Sequence, residues 1–523
     1  MTENRLSSYM QKRRSAILLT LALLIFAAFA FCYFLIVYRY PGEVSGPRFA
    51  FCLIAVAAVS GGLIWLCYYL LKHKNIKTET LFLIFMLTAG AIYSAVFLPF
   101  TIPDEHAHYL SAYRISNYMV FNFDQIGDDR LFLRNADANL LSVIRSNRIS
   151  PDYYDSIVRN FDFFIDGSGM TTMPSVFVGN APLGYIASGF GIALGRILHL
   201  GAMPTFYLGR FANLALYAVA VWWAMKRIPY GKTALFVISA LPMTIHITAS
   251  YSYDFLVIAL AILFVSQVLY MREKPDKITV KDIILCAVWA MLLAPSKLVY
   301  FPVLLTVFLI PSEKFGLTKK KAMLIKCGII AAGIAALLIT QIGRISTYVS
   351  DGNTVKWTGT EAYSISHVLS HPFEFLRVLA NTFLKKTDYF ISTMVGSYMG
   401  SLQIIVPVFM WAPMFVMLFF AFLRRKDEEN GALPFSGRIA MWLLALVTCT
   451  LAALSMLFSW TPLTSTTIEG IQGRYFIPAL PLVMLAVRGC GLTRPANSDK
   501  YVIFFCVYYN LLMPLIYFGT AFA

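Results

Sequence analysis

Apolar runs long enough to cross a bilayer recur along this chain, and they restrict its fold more than any other feature. A helix of about twenty apolar residues spans a hydrocarbon core of ~30 Å. Thirteen such runs begin near Ser15, Arg48, Glu79, Thr205, Lys232, Phe255, Asp282, Leu298, Ala322, Leu402, Arg438, Phe476 and Tyr501. Because backbone polar groups in lipid must be satisfied within the chain, the sequence predicts an all-α integral membrane protein with about 13 transmembrane helices.

The net charge of +16 comes from one side of the predicted topology. When "QKRR" near the N-terminus is placed inside and the spans alternate, the inner side carries 26 Lys and Arg against 10 acids, and the outer side carries 17 against 17. Cytoplasmic loops of membrane proteins show this excess of Lys and Arg. The charge therefore indicates a cytoplasmic N-terminus and does not indicate a nucleic-acid partner.

This topology divides the chain into five regions. Residues 1–100 hold three transmembrane helices, 101–204 form an extracytoplasmic catalytic loop, and 205–342 hold further transmembrane helices. Residues 343–401 form a second extracytoplasmic loop, and 402–523 hold the C-terminal transmembrane helices. The assignment requires that residues 180–200 do not span. We expect that segment to lie on the outer surface as a helix anchored by Arg196 and His199.

A second surface helix is predicted at "HPFEFLRVLANTFLKK", residues 371–386. Its polar stripe holds Glu374, Arg377, Asn381 and Lys385, and its apolar stripe Leu376, Leu379, Ala380 and Phe383. This amphipathic pattern favours contact with the membrane surface, where lipids are partners. His371 caps the helix, and His371 and Arg377 are candidates for binding a lipid carrier.

The motif "PDEHAH", residues 103–108, follows the third apolar run. On a helix that starts at Pro103, Asp104 and His108 share one face. Acids also favour a helix N-terminus without any further role. Alternatively, Asp104, with its neighbour Glu105, acts as a general base toward a hydroxyl that His108 holds or polarises. Asp104, Glu105 and His108 could equally coordinate a divalent cation, although no cofactor is firmly predicted.

The motif "QGRYFIP", residues 472–478, opens a late apolar run. An Arg at this depth favours an anionic partner, and its planar guanidinium matches a phosphate. Arg474 is therefore a candidate phosphate ligand, with Gln472 and Tyr475 beside it. The alternatives are that Arg474 extends to the interface or pairs with Glu469.

Two further charged residues, Asp254 and Lys297, lie at outer turns between predicted spans. We expect both at the same outer rim as the two motifs. Each taken alone is more often a helix cap or an interface anchor.

Together "PDEHAH", "SYDF", "HPFEF" and "IQGRYFIP" resemble a family of bacterial multi-pass membrane proteins of formerly unknown function. Its motifs are Pro-Asp-Glu-x-x-His and Gln-Gly-Arg-Tyr-Phe-x-Pro, and the resemblance covers about residues 80–490. That family in turn resembles a branch of the GT-C glycosyltransferases. The resemblance implies a GT-C-like fold in the bacterial cytoplasmic membrane, with Asp104 as the base, Asp254 as a second outer acid and Arg474 at the carrier phosphate. In most GT-C enzymes, however, the catalytic loop follows the first span rather than the third.

The resemblance further implies transfer of a sugar from a polyprenyl-phosphate donor to a glycan or lipid-linked acceptor on the outer face. A flippase or transporter for lipid-linked glycans is the alternative, and it would be expected to carry charges or broken helices near the midplane. The ionisable groups here concentrate at the outer rim, which favours an enzyme, expected to be inverting. A polysaccharide polymerase shares the carrier and stays open.

Overall fold

The structure, a computed structural model, describes residues 2–39, 46–74, 76–123, 130–143, 150–159, 161–165, 169–174, 182–349, 354–355, 357–428 and 431–520. For residues 2–15, 142–143 and 341–349 the description covers the backbone alone. The chain begins with three long helices: α1 (Thr2–Tyr38), α2 (Gly46–His73) and α3 (Thr78–Val96). Their apolar sequences explain why they are helical over a membrane-spanning length.

Short elements fill the region between α3 and the next long helix. They are α4 (Glu105–Met119), β1 (Arg130–Arg134), α5 (Asn135–Val143), α6 (Pro151–Arg159), β2 (Met170–Pro174), a 3-10 helix (Pro182–Tyr185) and α7 (Ile186–Ile197). Strands β1 and β2 pair antiparallel, with Arg130 opposite Pro174.

The middle of the chain returns to apolar helices. They are α8 (Ala202–Arg227), α9 (Lys232–Ser239), α10 (Pro242–Thr248), α11 (Asp254–Glu273), α12 (Val280–Ser296), two 3-10 helices (Leu298–Leu309 and Ser312–Phe315) and α13 (Lys319–Val349). Helix α11 is largely enclosed by the rest of the protein, since 89% of its most apolar stretch is buried. Its first residue, Asp254, is therefore held in a fixed position.

The last part combines a second outer layer with the C-terminal helices. Its elements are α14 (Ile365–Ser370), α15 (Pro372–Val395), β3 (Tyr398–Met399), β4 (Ile404–Ile405), α16 (Val408–Phe422), β5 (Arg424–Arg425), α17 (Phe435–Trp460), a 3-10 helix (Gly473–Ala479), α18 (Leu480–Val487), β6 (Thr493–Arg494) and α19 (Ser498–Thr520). Strand β3 pairs antiparallel with β4, and β5 pairs parallel with β6.

Within the described residues, eight helices are long and apolar enough to span a membrane. They lie in α1, α2, α3, α8, α11, α13, α17 and α19. The other five predicted runs are shorter or interrupted by proline, which removes a backbone donor and breaks or kinks a helix. Pro242, for example, separates α9 from α10. The prediction of a helical membrane protein is confirmed, and the count of thirteen spans stays a prediction.

Helix α7 falls within the segment predicted to lie on the outer surface, and that position stays a prediction. It packs lengthwise against the start of α8, where a Cβ on Gly191 would meet Leu208 and Gly209, and one on Gly195 would meet Thr205. Small residues four positions apart let two helix backbones approach closely. The spacing of Gly191 and Gly195 was therefore the signal for this packing. At 12 residues, α7 is too short to span alone.

Helix α15 matches the second predicted surface helix. Val378 and Phe390 on one face are buried in a separate hydrophobic cluster with Leu457 of α17. Another face exposes Phe373 (86%) and Leu384 (83%). The apolar residues of α15 therefore lie on two faces, one packed on protein and one exposed.

Candidate functional site

Asp104 lies exposed at the start of α4 in an unusual backbone conformation. Its φ of 60° and ψ of 11° are left-handed, and Phe100 in the same turn has φ 60°. Such conformations persist for residues other than glycine only where the surroundings hold them. Asp tolerates this region better than most residues. The turn thus directs the Asp104 side chain to the surface while the next residue points inward.

Glu105 and Arg210 form a buried ion pair directly behind Asp104. Both side chains are fully buried, with Arg210 Nη2 2.6 Å from Glu105 Oε2 and Nε 2.8 Å from Oε1. The same carboxylate accepts the backbone N–H groups of Phe100 at 2.8 Å and Tyr251 at 3.2 Å. All of its acceptor positions are therefore occupied, which favours a structural role for Glu105 over the predicted catalytic one.

Arg210 also fixes the backbone of the turn. It donates to the carbonyl oxygens of Phe97 at 2.5 Å, Leu98 at 3.0 Å and Ser94 at 3.2 Å. A guanidinium has five N–H donors in a rigid fork. Arg210 thus joins the end of α3 to the start of α4, and the left-handed Asp104 follows from this attachment.

His108 lies one turn after Asp104 and is 4% exposed. Its Nδ1 is 2.9 Å from the Tyr185 hydroxyl. Burial lowers the pKa of His108 from 6.5 to about 4; the negative charges of Asp254 and Asp104 oppose this shift, and the positive charges of Arg474 and Lys297 add to it. The imidazole is therefore neutral at pH 7 and can act through hydrogen bonds but not as a cation.

Two cations converge on Asp254 at the start of α11. Lys297 Nζ lies 3.3 Å from Asp254 Oδ1, and Arg474 Nε lies 3.5 Å from Oδ2. Lys297 follows α12, whose helix ends after Pro295, and Arg474 is the second residue of the 3-10 helix Gly473–Ala479. Three separate parts of the chain thus form one charged cluster.

Aromatic rings surround these cations. Lys297 Nζ lies 4.2 Å from the ring centroid of Tyr475 and 5.6 Å from that of Tyr253. The Tyr300 hydroxyl donates to the Tyr475 carbonyl at 2.8 Å. Cation–π contacts of this kind hold a charge in place without neutralising it. The burial of the Tyr253 ring raises the pKa of its hydroxyl to about 12, so the hydroxyl stays protonated at pH 7.

The position directly before Arg474 has no room for a side chain, which explains the glycine at 473. A Cβ at this position would lie 2.2 Å from both Met394 N and Phe390 O. Its N–H donates to Thr393 Oγ1 at 3.0 Å. The backbone before Arg474 therefore packs directly on the last turns of α15, and this contact positions the guanidinium.

Two cations, Lys297 and Arg474, face the single carboxylate of Asp254. The Asp104 carboxylate is exposed and more distant, and it acts electrostatically on Arg474 and His108. Arg474 is 5% exposed, and its Nε has no hydrogen-bond partner among the described residues. A buried guanidinium without its hydrogen bonds is costly, so this arrangement favours binding of an anion.

Of the ten predicted site residues, the structure brings six together and places Gln472 beside them. It separates Glu105, His371 and Arg377 from this group. The six are Asp104, His108, Asp254, Lys297, Arg474 and Tyr475. Glu105 lies behind them, and Gln472 is half-buried beside Arg474 with its carbonyl accepting the Tyr475 N–H at 3.1 Å.

His371 and Arg377 lie elsewhere. Both are exposed on the first turns of α15, where His371 stacks on His367 at 4.4 Å. Gly473 contacts Thr393 near the other end of α15, and sixteen residues of helix are about 24 Å long. The predicted alternative that Arg474 pairs with Glu469 is wrong, because the Glu469 carboxylate lies 2.9 Å from Lys386 Nζ.

Sequence analysis missed Arg210 and the tyrosines at positions 185 and 253. Arg210 is a single basic residue within an apolar run, and an ionisable residue in such a run indicates a buried partner. No local signal marks Tyr185. Within the described residues, no three His, Cys, Asp or Glu side chains lie close enough to hold a metal ion. A divalent cation was considered at Asp104, Glu105 and His108, but the Glu105 carboxylate is paired with Arg210 instead.

Residues 85–483 match the family of predicted membrane proteins known as DUF2142. The chain belongs to the DUF2142 family. The matched region contains both the Asp104 motif and the Arg474 motif, and it makes this DUF2142 protein a multi-pass membrane protein. No curated protein and no solved structure shows significant similarity to it.

Proposed function

We propose that this DUF2142 protein is a GT-C-type glycosyltransferase that moves a sugar from a polyprenyl-phosphate donor to a glycan or lipid-linked acceptor. The observation that carries the proposal is the cluster of two cations at Asp254, half-buried Lys297 and buried Arg474, near the exposed carboxylate of Asp104. A phosphate ligand and a general base are the two groups that such a transfer requires.

The proposed reaction is a single inverting displacement. The acceptor hydroxyl oxygen attacks the anomeric carbon of the donor sugar, and the bond from that carbon to the phosphate oxygen breaks. Asp104 takes the hydroxyl proton, and polyprenyl phosphate leaves with the bonding electrons. Lys297 and Arg474 stabilise the charge that develops on this phosphate. Neutral His108 would hold a sugar or acceptor hydroxyl.

The proposed orientation places this site outside the bacterial cytoplasmic membrane. The positive-inside pattern supports it, because the loops at the other end of α11 carry the excess Lys and Arg. A flippase remains the competing function, and a polymerase would use the same chemistry with a longer acceptor. Two fully buried ionic side chains, Glu105 and Arg210, lie directly next to the Asp104 turn, so they hold the proposed base in place, which favours transfer over transport.

Photo-crosslinking of a polyprenyl-phosphate analogue to the purified protein tests the phosphate contact. Arg474→Ala removes charge-assisted hydrogen bonds worth about 1.5–3 kcal/mol, so half-maximal crosslinking should require at least ~10-fold more analogue. Arg474→Lys should give an intermediate value, since an ammonium replaces a bidentate fork with a point charge.

Arg377→Ala is the matched control. Arg377 is also an arginine of the predicted outer side of the membrane, but it is exposed on α15. It should bind the analogue like the unmodified protein. Unchanged binding in Arg474→Ala together with lost binding in Arg377→Ala would place the carrier on α15 and contradict the proposed site.

A further inference from the structure

An apolar groove lies between α16 and α19, away from the proposed active site. Its volume is about 960 Å3, and every lining side chain is apolar or aromatic. Phe409, Ala412 and Phe420 line it on α16, and Tyr501 and Phe505 line it on α19. A cavity of about 300–1,000 Å3 is of the size that binds small molecules.

The groove has the length of one bilayer leaflet. Eleven residues separate Phe409 from Phe420, which corresponds to about 17 Å of helix. Half of a hydrocarbon core is about 15 Å. The Phe409 ring stacks on Phe29 at 5.8 Å, near the middle of the apolar part of α1. The groove therefore runs from one membrane surface to about the midplane, where α1 closes it.

The open end of the groove meets a basic ribbon formed by residues 424–428 and 488–500. The ribbon contains six Lys and Arg and three acids. Strands β5 and β6 pair within it, and Arg425 Nη1 lies 2.7 Å from Asp499 Oδ2. Lys426 and Lys500 of the ribbon are exposed, and Lys500 directly precedes Tyr501, which is 41% exposed.

The ribbon and the proposed active site lie at opposite ends of α11. Asp254 begins this helix, and Arg272 near its other end acts electrostatically on Tyr230 together with Arg488 of the ribbon. Eighteen residues of helix separate Asp254 from Arg272, about 27 Å. A ligand in the groove is therefore distinct from the proposed sugar donor.

We propose that this groove binds an anionic phospholipid, with an acyl chain between α16 and α19 and the headgroup phosphate at the basic ribbon. The apolar lining of the groove favours a hydrocarbon chain. The length of the groove, about one leaflet, favours a lipid over a short amphiphile. Each Lys or Arg next to a membrane adds about the same amount to the binding free energy of an anionic headgroup. Tyrosine favours the headgroup level. The lipid would connect α16 to α19 at the end where β5 and β6 pair.

Native mass spectrometry of the purified full chain tests this site. Phosphatidylglycerol and phosphatidylcholine with identical acyl chains are titrated in neutral detergent. Phosphatidylglycerol should bind at least ~10-fold more tightly, because only its headgroup carries a net negative charge. The double variant Lys426→Gln and Lys500→Gln should weaken phosphatidylglycerol about 30-fold and leave phosphatidylcholine unchanged. Ala412→Trp, which fills the groove, should weaken both lipids.

Lys320→Gln is the control, because Lys320 is an exposed Lys at the start of α13, outside the groove. It should leave binding of both lipids unchanged. The proposal is overturned if the two lipids bind equally, if Lys320→Gln weakens phosphatidylglycerol as much as the double variant, or if Ala412→Trp binds both lipids normally. A dimer that Ala412→Trp abolishes, with no bound lipid in the unmodified protein, would assign the groove to a second copy and would also overturn it.

Discussion

Two buried ionic groups lie close together in this protein, and they differ in how completely their charges are satisfied. Glu105 and Arg210 form two short contacts of 2.6 and 2.8 Å, and the remaining donors and acceptors are taken by backbone groups. Asp254 faces two cations at 3.3 and 3.5 Å, and Arg474 Nε has no hydrogen-bond partner among the described residues.

The difference separates a fully satisfied ion pair from a candidate binding site. A buried ion pair is tolerated when additional hydrogen bonds satisfy its atoms, as they do for Glu105 and Arg210. Two cations face the one carboxylate of Asp254, and a bound phosphate would accept hydrogen bonds from Arg474. Adjacent motif residues thus belong to different groups: Glu105 to the satisfied structural pair, and Asp104 to the group that is proposed to be reactive.

The largest effect is expected from breaking the satisfied pair. Arg210→Met leaves a buried carboxylate without its partner, so the free energy of unfolding should fall by about 3–5 kcal/mol. Thermal unfolding of the purified protein in detergent measures this loss. Lys232→Met provides the control, because Lys232 is 37% exposed and lies 3.3 Å from Glu79; a pair of that kind contributes about 0–1 kcal/mol. Equal stability of the two variants would contradict the structural role of Arg210.

This comparison also shows what the sequence could predict. Apolar runs predicted the long helices because hydropathy and length are local properties. Because successive spans cross the membrane in opposite directions, the predicted topology placed four residues at one end of the bundle: Asp104, Asp254, Lys297 and Arg474. The pairing of Glu105 with Arg210 joins positions 105 residues apart, and no local pattern specifies such a partner.

Two other features also depended on packing that local patterns do not show. Helix α7 is apolar and short, and hydropathy could not distinguish a surface position from contact with α8. Its position depends on close backbone approach at Gly191 and Gly195. Arg377 and Arg474 both resembled phosphate ligands, and only the length of α15 separates them.

The second prediction concerns the reactive side of the comparison. Asp104→Asn removes the proton acceptor and keeps the side-chain shape, and Asn also tolerates a left-handed backbone. Sugar transfer should fall at least ~100-fold, in line with general-base contributions, while thermal stability should change little because Asp104 is exposed.

Transfer is measured with purified enzyme and lipid-linked sugar donor extracted from cells that lack the gene. His106→Gln is the matched control, since His106 is the neighbouring exposed residue on α4, and it should retain activity. Full activity in Asp104→Asn would remove Asp104 from the reaction. A loss of stability as large as that of Arg210→Met would show that Asp104 belongs to the structural group.

The smallest effect concerns His108 and acid. Its pKa in the folded protein is about 4, below the ordinary 6.5, so the unfolded chain binds more protons between these values and stability falls as the pH decreases through this window. At pH 5 this one group should lower the free energy of unfolding by about 2 kcal/mol relative to pH 7.5. His108→Gln cannot titrate, so its unfolding temperature should fall less than that of the unmodified protein between pH 7.5 and pH 5. Burial is the largest cause of this shift, and Asp254 and Asp104, which attract a proton to His108, act on it more strongly than Arg474 and Lys297, which repel one. The acid sensitivity therefore tests whether His108 is buried beside the Asp254 cluster. Parallel curves for His108→Gln and the unmodified protein would mean that His108 is not buried there, and His108 would leave the candidate site.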